Sequence, residues 1–133
     1  MLPGPRLTEG RMRQALLILG LTQFVIGAWL VIDPDSFVDA IAPYGAADHH
    51  FLRDLGTFYL AMGAALLLAA RRPSWRVPVL FLVTIQYALH TINHLIDIGG
   101  TDPGWLGPFN FFSLLLLTVI AGWVLAGAAR LVR

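Results

Sequence analysis

The sequence contains no cysteine and no lysine. The first absence excludes disulfides, thiolate metal sites and cysteine nucleophiles. The second leaves arginine, with histidine, as the only basic residue type. Charge of either sign is scarce: 13% of the 133 residues are charged, against 57% hydrophobic, and mean hydropathy is +0.71. That balance is too apolar for an ordinary soluble domain. The arginines stand at the ends of apolar runs rather than on one basic face, so no nucleic-acid partner is expected. The length points to one domain, 1–133.

Four apolar runs fill most of the chain, at about 13–32, 49–71, 76–98 and 108–132. Each supplies about 20 residues, enough to cross a hydrocarbon core of about 30 Å. Backbone groups in lipid must be satisfied within the segment, which predicts helices. Short connections make sequential helices antiparallel neighbours. The expected fold is therefore all-α, an integral-membrane four-helix bundle. Arg11 and Arg13 give the first run the flank of a signal peptide, but its length reads as an uncleaved span.

Charge is segregated along these runs. Arg6, Arg11, Arg13, Arg71, Arg72, Arg76, Arg130 and Arg133 fall on one side; Asp33, Asp35, Asp39, Asp48, Asp97 and Asp102 fall on the other. The positive-inside rule then puts both termini in the cytoplasm. Tyr44, Trp75 and Trp105 lie near the boundaries, as an interfacial aromatic belt requires. In the first outer loop, Pro34-Asp35-Ser36 starts a short segment with Phe37, Val38 and Ile41 on one face. It predicts a short interfacial helix over the outer mouth of the bundle.

Spans one and two share a spacing. Leu19-Gly20 is followed by Gly27-Ala28 and Leu30, and Leu55-Gly56 by Gly63-Ala64 and Leu66. Small residues let helices approach closely, so a common packing demand explains the echo without duplication. Ala61/Ala65 and Gly122/Ala126 are further small-residue pairs of the same kind.

Span three carries what does not belong in lipid. Gln86, His90, Asn93, His94 and Asp97 form one stripe at helical spacing. Ionisable groups in a span cost about 2.5–3.5 kcal/mol each on insertion scales, so they face protein, water or a ligand. Span two opens with His50, Arg53 and Asp54, which by distance along the helix lie at the depth of His90 and His94. All four histidines and the one arginine outside the cytoplasmic set fall in this layer. Asn110 stands near it in span four, and Gln23 in span one pairs with Gln86 as its floor.

The expectation is an outward-facing intramembrane His/Asp/Arg site. As an acid–base enzyme it would use His90, His94, Asp54 and Asp97. As a binding site for a small or lipid-like ligand it would use Arg53, Asn93, Gln86 and His50, with the arginine suited to a carboxylate or phosphate. As a metal site it would use His90, His94 and His50, since two imidazoles one turn apart accept zinc, copper or iron. A single metal ion or one axially ligated haem fits the residue types, though no cofactor motif is present. Membrane lipid is the obligatory partner. Transport with four spans would need a homo-oligomer, and an accessory subunit of a larger membrane complex would turn the polar layer toward a partner helix. A purely architectural polar cluster returns only about 0.6 kcal/mol per interhelical contact. Ser113 is in no nucleophile setting and reads as a packing hydroxyl.

The stretch Arg53-Asp54-Leu55-Gly56-Thr57-Phe58-Tyr59-Leu60-Ala61-Met62-Gly63 resembles the second helix of small four-helix bacterial membrane proteins, the DoxX-like proteins and related families of unknown function. Gly27-Ala28 followed by Asp33-Pro34 and a short amphipathic piece is similar as well. The resemblance covers about the first half of the chain. It implies a four-helix bundle in a bacterial inner membrane and transfers no catalytic role. The His90/His94 pair lies outside that pattern.

Overall fold

The computed structural model describes residues 7–131. Arg6, Arg133 and residue 132, used above for orientation and for the fourth span, lie outside the described residues. The described residues form α1 (Glu9–Ile32), α2 (Pro34–Ile41), α3 (His49–Arg71), a 3₁₀ turn (Pro73–Trp75), α4 (Arg76–Ile96) and α5 (Leu106–Leu131), with no strand among them. Helices α1, α3, α4 with its leading 3₁₀ turn, and α5 are each long and apolar enough to cross a membrane. The expected short helix in the first loop is α2.

Local chemistry sets the boundaries. Thr8 Oγ1 accepts the Arg11 N–H, which starts α1 four residues ahead of the apolar run. Asp33 closes α1 with its own N–H on the Trp29 carbonyl, and its carboxylate then accepts the Ser36 N–H that opens α2, with Pro34 at the first helical position. Asp48 caps α3 through the Phe51 N–H. Thr101 Oγ1 accepts the Gly107 N–H at the start of α5.

α1 and α3 form the closest pair, and the shared glycine spacing explains how. Running antiparallel, they set Gly20 against Gly63 and Gly27 against Gly56. A Cβ on Gly27 would stand 2.7 Å from the Gly56 carbonyl oxygen and from the Leu60 nitrogen. One on Gly63 would stand 2.8 Å from the Phe24 nitrogen and 2.9 Å from the Gly20 oxygen. The pairs lie seven residues apart, about 10.5 Å or two turns, so both fall on one line down each helix. Gly122 is different: a Cβ there meets only the Thr84 methyl at 3.7 Å, an ordinary contact. Ala61 and Ala126 are exposed. The pairs Ala61/Ala65 and Gly122/Ala126 therefore do not force a close helix approach.

At the end carrying the termini, the core of Met12, Leu16, Leu66, Leu80, Val83, Val124 and Ala128 is sealed by one ion pair. The buried Arg76 guanidinium donates to both Glu9 carboxylate oxygens, at 2.7 and 2.5 Å, and its Nε–H reaches the Ala69 carbonyl at 3.3 Å. Three helices meet at this one side chain. Outside the core, Ile18, Val25, Phe58, Leu89, Phe112, Leu116 and Val119 are all more than half exposed. A continuous apolar surface of that kind belongs in lipid.

Gly63→Val is expected to lower stability by about 1–3 kcal/mol, because the added carbons meet backbone that cannot yield. Gly122→Ala is expected to change it by less than about 0.5 kcal/mol. Melting temperatures of the purified proteins in detergent check both; equal values for the two variants would contradict the glycine seam.

Candidate functional site

At the end opposite the termini, the segment from Asp33 to Asp48 crosses the bundle and is tied down on all sides. Trp29 Nε1–H donates to Ser36 Oγ at 2.7 Å, and the Trp29 ring meets Phe37 edge-on. His49 Nε2 and Asp35 Oδ1 are 2.6 Å apart. The buried Asn110 donates to the Ile41 carbonyl at 2.7 Å and to the Tyr44 hydroxyl at 3.4 Å. This strap delivers the Tyr44 hydroxyl to α4.

From there a single line of hydrogen bonds descends into the bundle. Tyr44 Oη is 2.8 Å from His94 Nδ1. His94 Nε2 is 3.0 Å from His90 Nε2. His90 Nδ1 is 3.1 Å from Tyr59 Oη on α3. The line forms because His90 and His94 stand one turn apart on α4 with ring centroids 4.7 Å apart, and because Tyr44 and Tyr59 reach them from two other segments. Each imidazole uses both ring nitrogens. One proton must lie between the two Nε2 atoms, since two lone pairs cannot face each other at that distance.

Below the line is a floor of neutral polar groups. The Gln86 side chain lies beside the Tyr59 hydroxyl, and Gln23 beside the Tyr87 hydroxyl. Gln23 is 0% exposed and Tyr87 2%. Four buried atoms here have no hydrogen-bond partner among the described residues: both amide atoms of Gln23, Gln86 Oε1 and the Tyr87 hydroxyl. Tyr59 and Gln86 each lie about 15 Å from the strap end of their helices, near the middle of a membrane about 30 Å thick.

The structure does not gather the whole expected site. It brings together His90, His94 and Gln86 from the stripe, with Asn110 and Gln23. It leaves Asn93 and Asp97 exposed, and Arg53, Asp54 and His50 exposed on α3. His50, 90% exposed, pairs with Asp54 at 3.5 Å. The set His50, His90 and His94 is not assembled, and no group of three His, Asp or Glu side chains is placed to hold a metal ion among the described residues. Asp97 stands near His94 at the exposed end of α4 without a hydrogen bond to it, and neither Asp54 nor Arg53 reaches His90 or His94. The reason is rotational. At about 100° per residue, Arg53 and Asp54 point about 120–140° away from Tyr59, which is the α3 residue turned to His90.

The functional groups missed in the sequence are tyrosines. Tyr44 reads as an aromatic-belt residue, and Tyr59 and Tyr87 stand in their spans without an assigned role. The available signal was depth: Tyr59 lies as far from the strap end of α3 as Gln86 does on α4, and a buried tyrosine needs a partner for its hydroxyl.

Four apolar helices around a neutral His/Tyr/Gln core define a small multi-pass membrane protein. More particularly, the chain belongs to the DUF4345 family, a domain of unknown function, which matches residues 11–128. Four apolar helices fit a small membrane protein, and the family match does not extend to the DoxX-like proteins. Neither the curated proteins nor the solved structures gave a match to this chain.

The geometry separates the histidines by consequence. His94→Ala breaks two links of the line and strands Tyr44 and His90; it is expected to cost about 1–3 kcal/mol of stability. His50→Ala and Arg53→Ala are expected to stay within about 0.5 kcal/mol of the parent protein. Thermal unfolding in detergent checks the ranking, and a larger loss for His50→Ala than for His94→Ala would refute it.

Proposed function

We propose that this protein is a multi-pass protein of the inner membrane that binds a neutral, lipid-soluble molecule carrying carbonyl or hydroxyl groups on the floor formed by Gln23, Gln86, Tyr87 and Tyr59. One observation carries the reading: four buried polar atoms, on Gln23 beside Tyr87 and on Gln86 beside Tyr59, that have no hydrogen-bond partner among the described residues. Each unpaired group in a dry interior costs about 1–3 kcal/mol. The floor offers donors (the Gln23 amide and the Tyr87 hydroxyl) and acceptors (Gln23 Oε1 and Gln86 Oε1). A molecule with carbonyl or hydroxyl groups on an apolar frame answers both. It enters from the lipid, because the surface around the floor is apolar and exposed. An anionic head group is a poor fit, since Arg53 stands on the outside of the bundle.

The arginine distribution supports placing the strap end outside the cytoplasm. The likeness of Arg53–Gly63 to the DoxX-like second helix is consistent with a bacterial inner membrane, and it supplies no chemistry for the floor.

Mass spectrometry of extracts from protein purified in mild detergent is expected to show one neutral lipid-soluble species, retained through washing. The double variant Gln23→Leu, Tyr87→Phe should lose it. The same variant, stripped of lipid, should be more stable than the stripped parent by roughly 1–3 kcal/mol, because it no longer buries unpaired polar atoms. A parent that carries no such species, or a double variant that is less stable, would overturn the reading. Orientation has its own test: a tag at either terminus should be reached by antibody only after the cells are opened, and labelling of intact cells would reverse the assignment.

A further inference from the structure

The charged residues of α3 that stay outside the bundle stand where the span faces lipid. Arg53 and Asp54 lie four and five residues beyond His49, about 6 and 7.5 Å along the axis from the strap end of α3. Both are exposed, and further down the same side Thr57, Phe58, Ala61 and Ala64 are exposed as well. Arg53 has no ionic partner among the described residues. Asp54 meets His50 at 3.5 Å through one carboxylate oxygen. Ionisable side chains within a span are costly unless they pair, and these two cannot pair with each other. Neighbours in sequence point about 100° apart on a helix and do not face one another.

We propose that a second copy of this chain docks on this face of α3, with Arg53 of each copy paired to the partner's Asp54. The direction midway between the two side chains lies about 50° from each. Followed down the helix at about 3.6 residues per turn, it passes through Thr57, Ala61 and Ala64. His50 heads the same line, one turn nearer the strap end. The line stands about 110–130° from the glycine seam and nearly opposite Tyr59, so neither α1 nor α4 covers it. Both copies share one orientation in the membrane, so the two-fold axis relating them runs along the membrane normal. Rotation by half a turn beside this line brings Arg53 on one flank against the partner's Asp54. It brings Asp54 on the other flank against the partner's Arg53. The members of each pair differ in depth by one residue, about 1.5 Å. A face with one positive and one negative group on either side of a two-fold axis is its own complement, which is why the partner is a second copy. The guanidinium fork suits a carboxylate, and the side chains on the midline are small enough to let two backbones approach. The docking is independent of the polar floor: it uses the side of α3 turned away from Tyr59 and leaves α4 open to lipid.

The absence of cysteine supplies the test, because any introduced thiol is unique. Thr57→Cys, Ala61→Cys and Val119→Cys variants of the full chain are placed in vesicles of phosphatidylcholine and phosphatidylglycerol and oxidised. Val119 is exposed on α5 at the depth of Ala61 and serves as the reference. The two α3 variants are expected to give disulfide-linked dimers at least about 5-fold faster than Val119→Cys, since a seated pair holds its midline thiols within bonding reach. In the Ala61→Cys background, Arg53→Asp and Asp54→Arg should each slow dimer formation by about 5-fold or more, because each sets like charges against one another. Combining the two substitutions should restore it. Arg53 and Asp54 lie outside the core, so each variant should keep the parent's melting temperature in dilute detergent, which separates lost association from lost fold. Equal rates at the α3 and α5 positions would overturn the proposal; that is the outcome if lipid phosphate answers Arg53 instead. Cross-linking that single charge reversal leaves unchanged, or that the double exchange does not recover, would overturn it as well.

Discussion

The backbone contact between α1 and α3 governs the rest of the molecule. Lipid tails are as apolar as leucine, so helices in a membrane are not driven together by hydrophobic burial; they associate through close packing and polar contacts. Gly27 and Gly56, and Gly20 and Gly63, allow packing so close that a methyl group at Gly27 or Gly63 would meet main-chain atoms of the other helix. The contact fixes rotation as well as distance. With Gly56 and Gly63 turned toward α1, Tyr59 lies about 40–60° to one side of the seam and reaches α4. Arg53 lies about 60° to the other side, and Asp54 nearly opposite the seam. One seam thus decides which polar residues of α3 enter the bundle and which remain outside.

The strap is the second determinant, and it works by exhausting its own hydrogen bonds. Trp29 holds Ser36, His49 holds Asp35, and Asn110 holds the Ile41 carbonyl. Tyr44 is then the residue whose hydroxyl remains to meet α4, and it meets His94. At the opposite end Arg76 joins Glu9 to the Ala69 carbonyl and fixes how α1, α3 and α4 enter the membrane. The polar line is suspended between these two anchors. That is why residues from the strap, α3 and α4 hold hydrogen-bond distances along the line without a charged group among them.

The sequence announced the helices clearly because their ends are chemical: Thr8, Asp33 and Asp48 cap them, and Asp33-Pro34 cannot continue one. It announced the glycine spacing but not the pairing, since the same repeat serves a duplication or an antiparallel seam. The stripe on α4 was legible down to Gln86, His90 and His94. The partners were not. Distance along a helix can be counted from sequence, and counting sets Arg53 and Asp54 level with the histidines; rotation about the axis depends on packing against α1 and cannot be counted the same way. Tyrosine hid the true partners because its ring satisfies the apolar pattern while its hydroxyl carries the chemistry.

The site that results is neutral, and its neutrality has a physical cause. Near the strap end Asp33, Asp35, Asp39, Asp48, Arg53, Asp54, Asp97 and Asp102 are all exposed, while the groups that enter are two histidines, tyrosine hydroxyls and amides. A charge held at that depth would cost several kcal/mol unless a partner were held with it. Imidazole and phenol avoid that cost because they donate and accept without ionising.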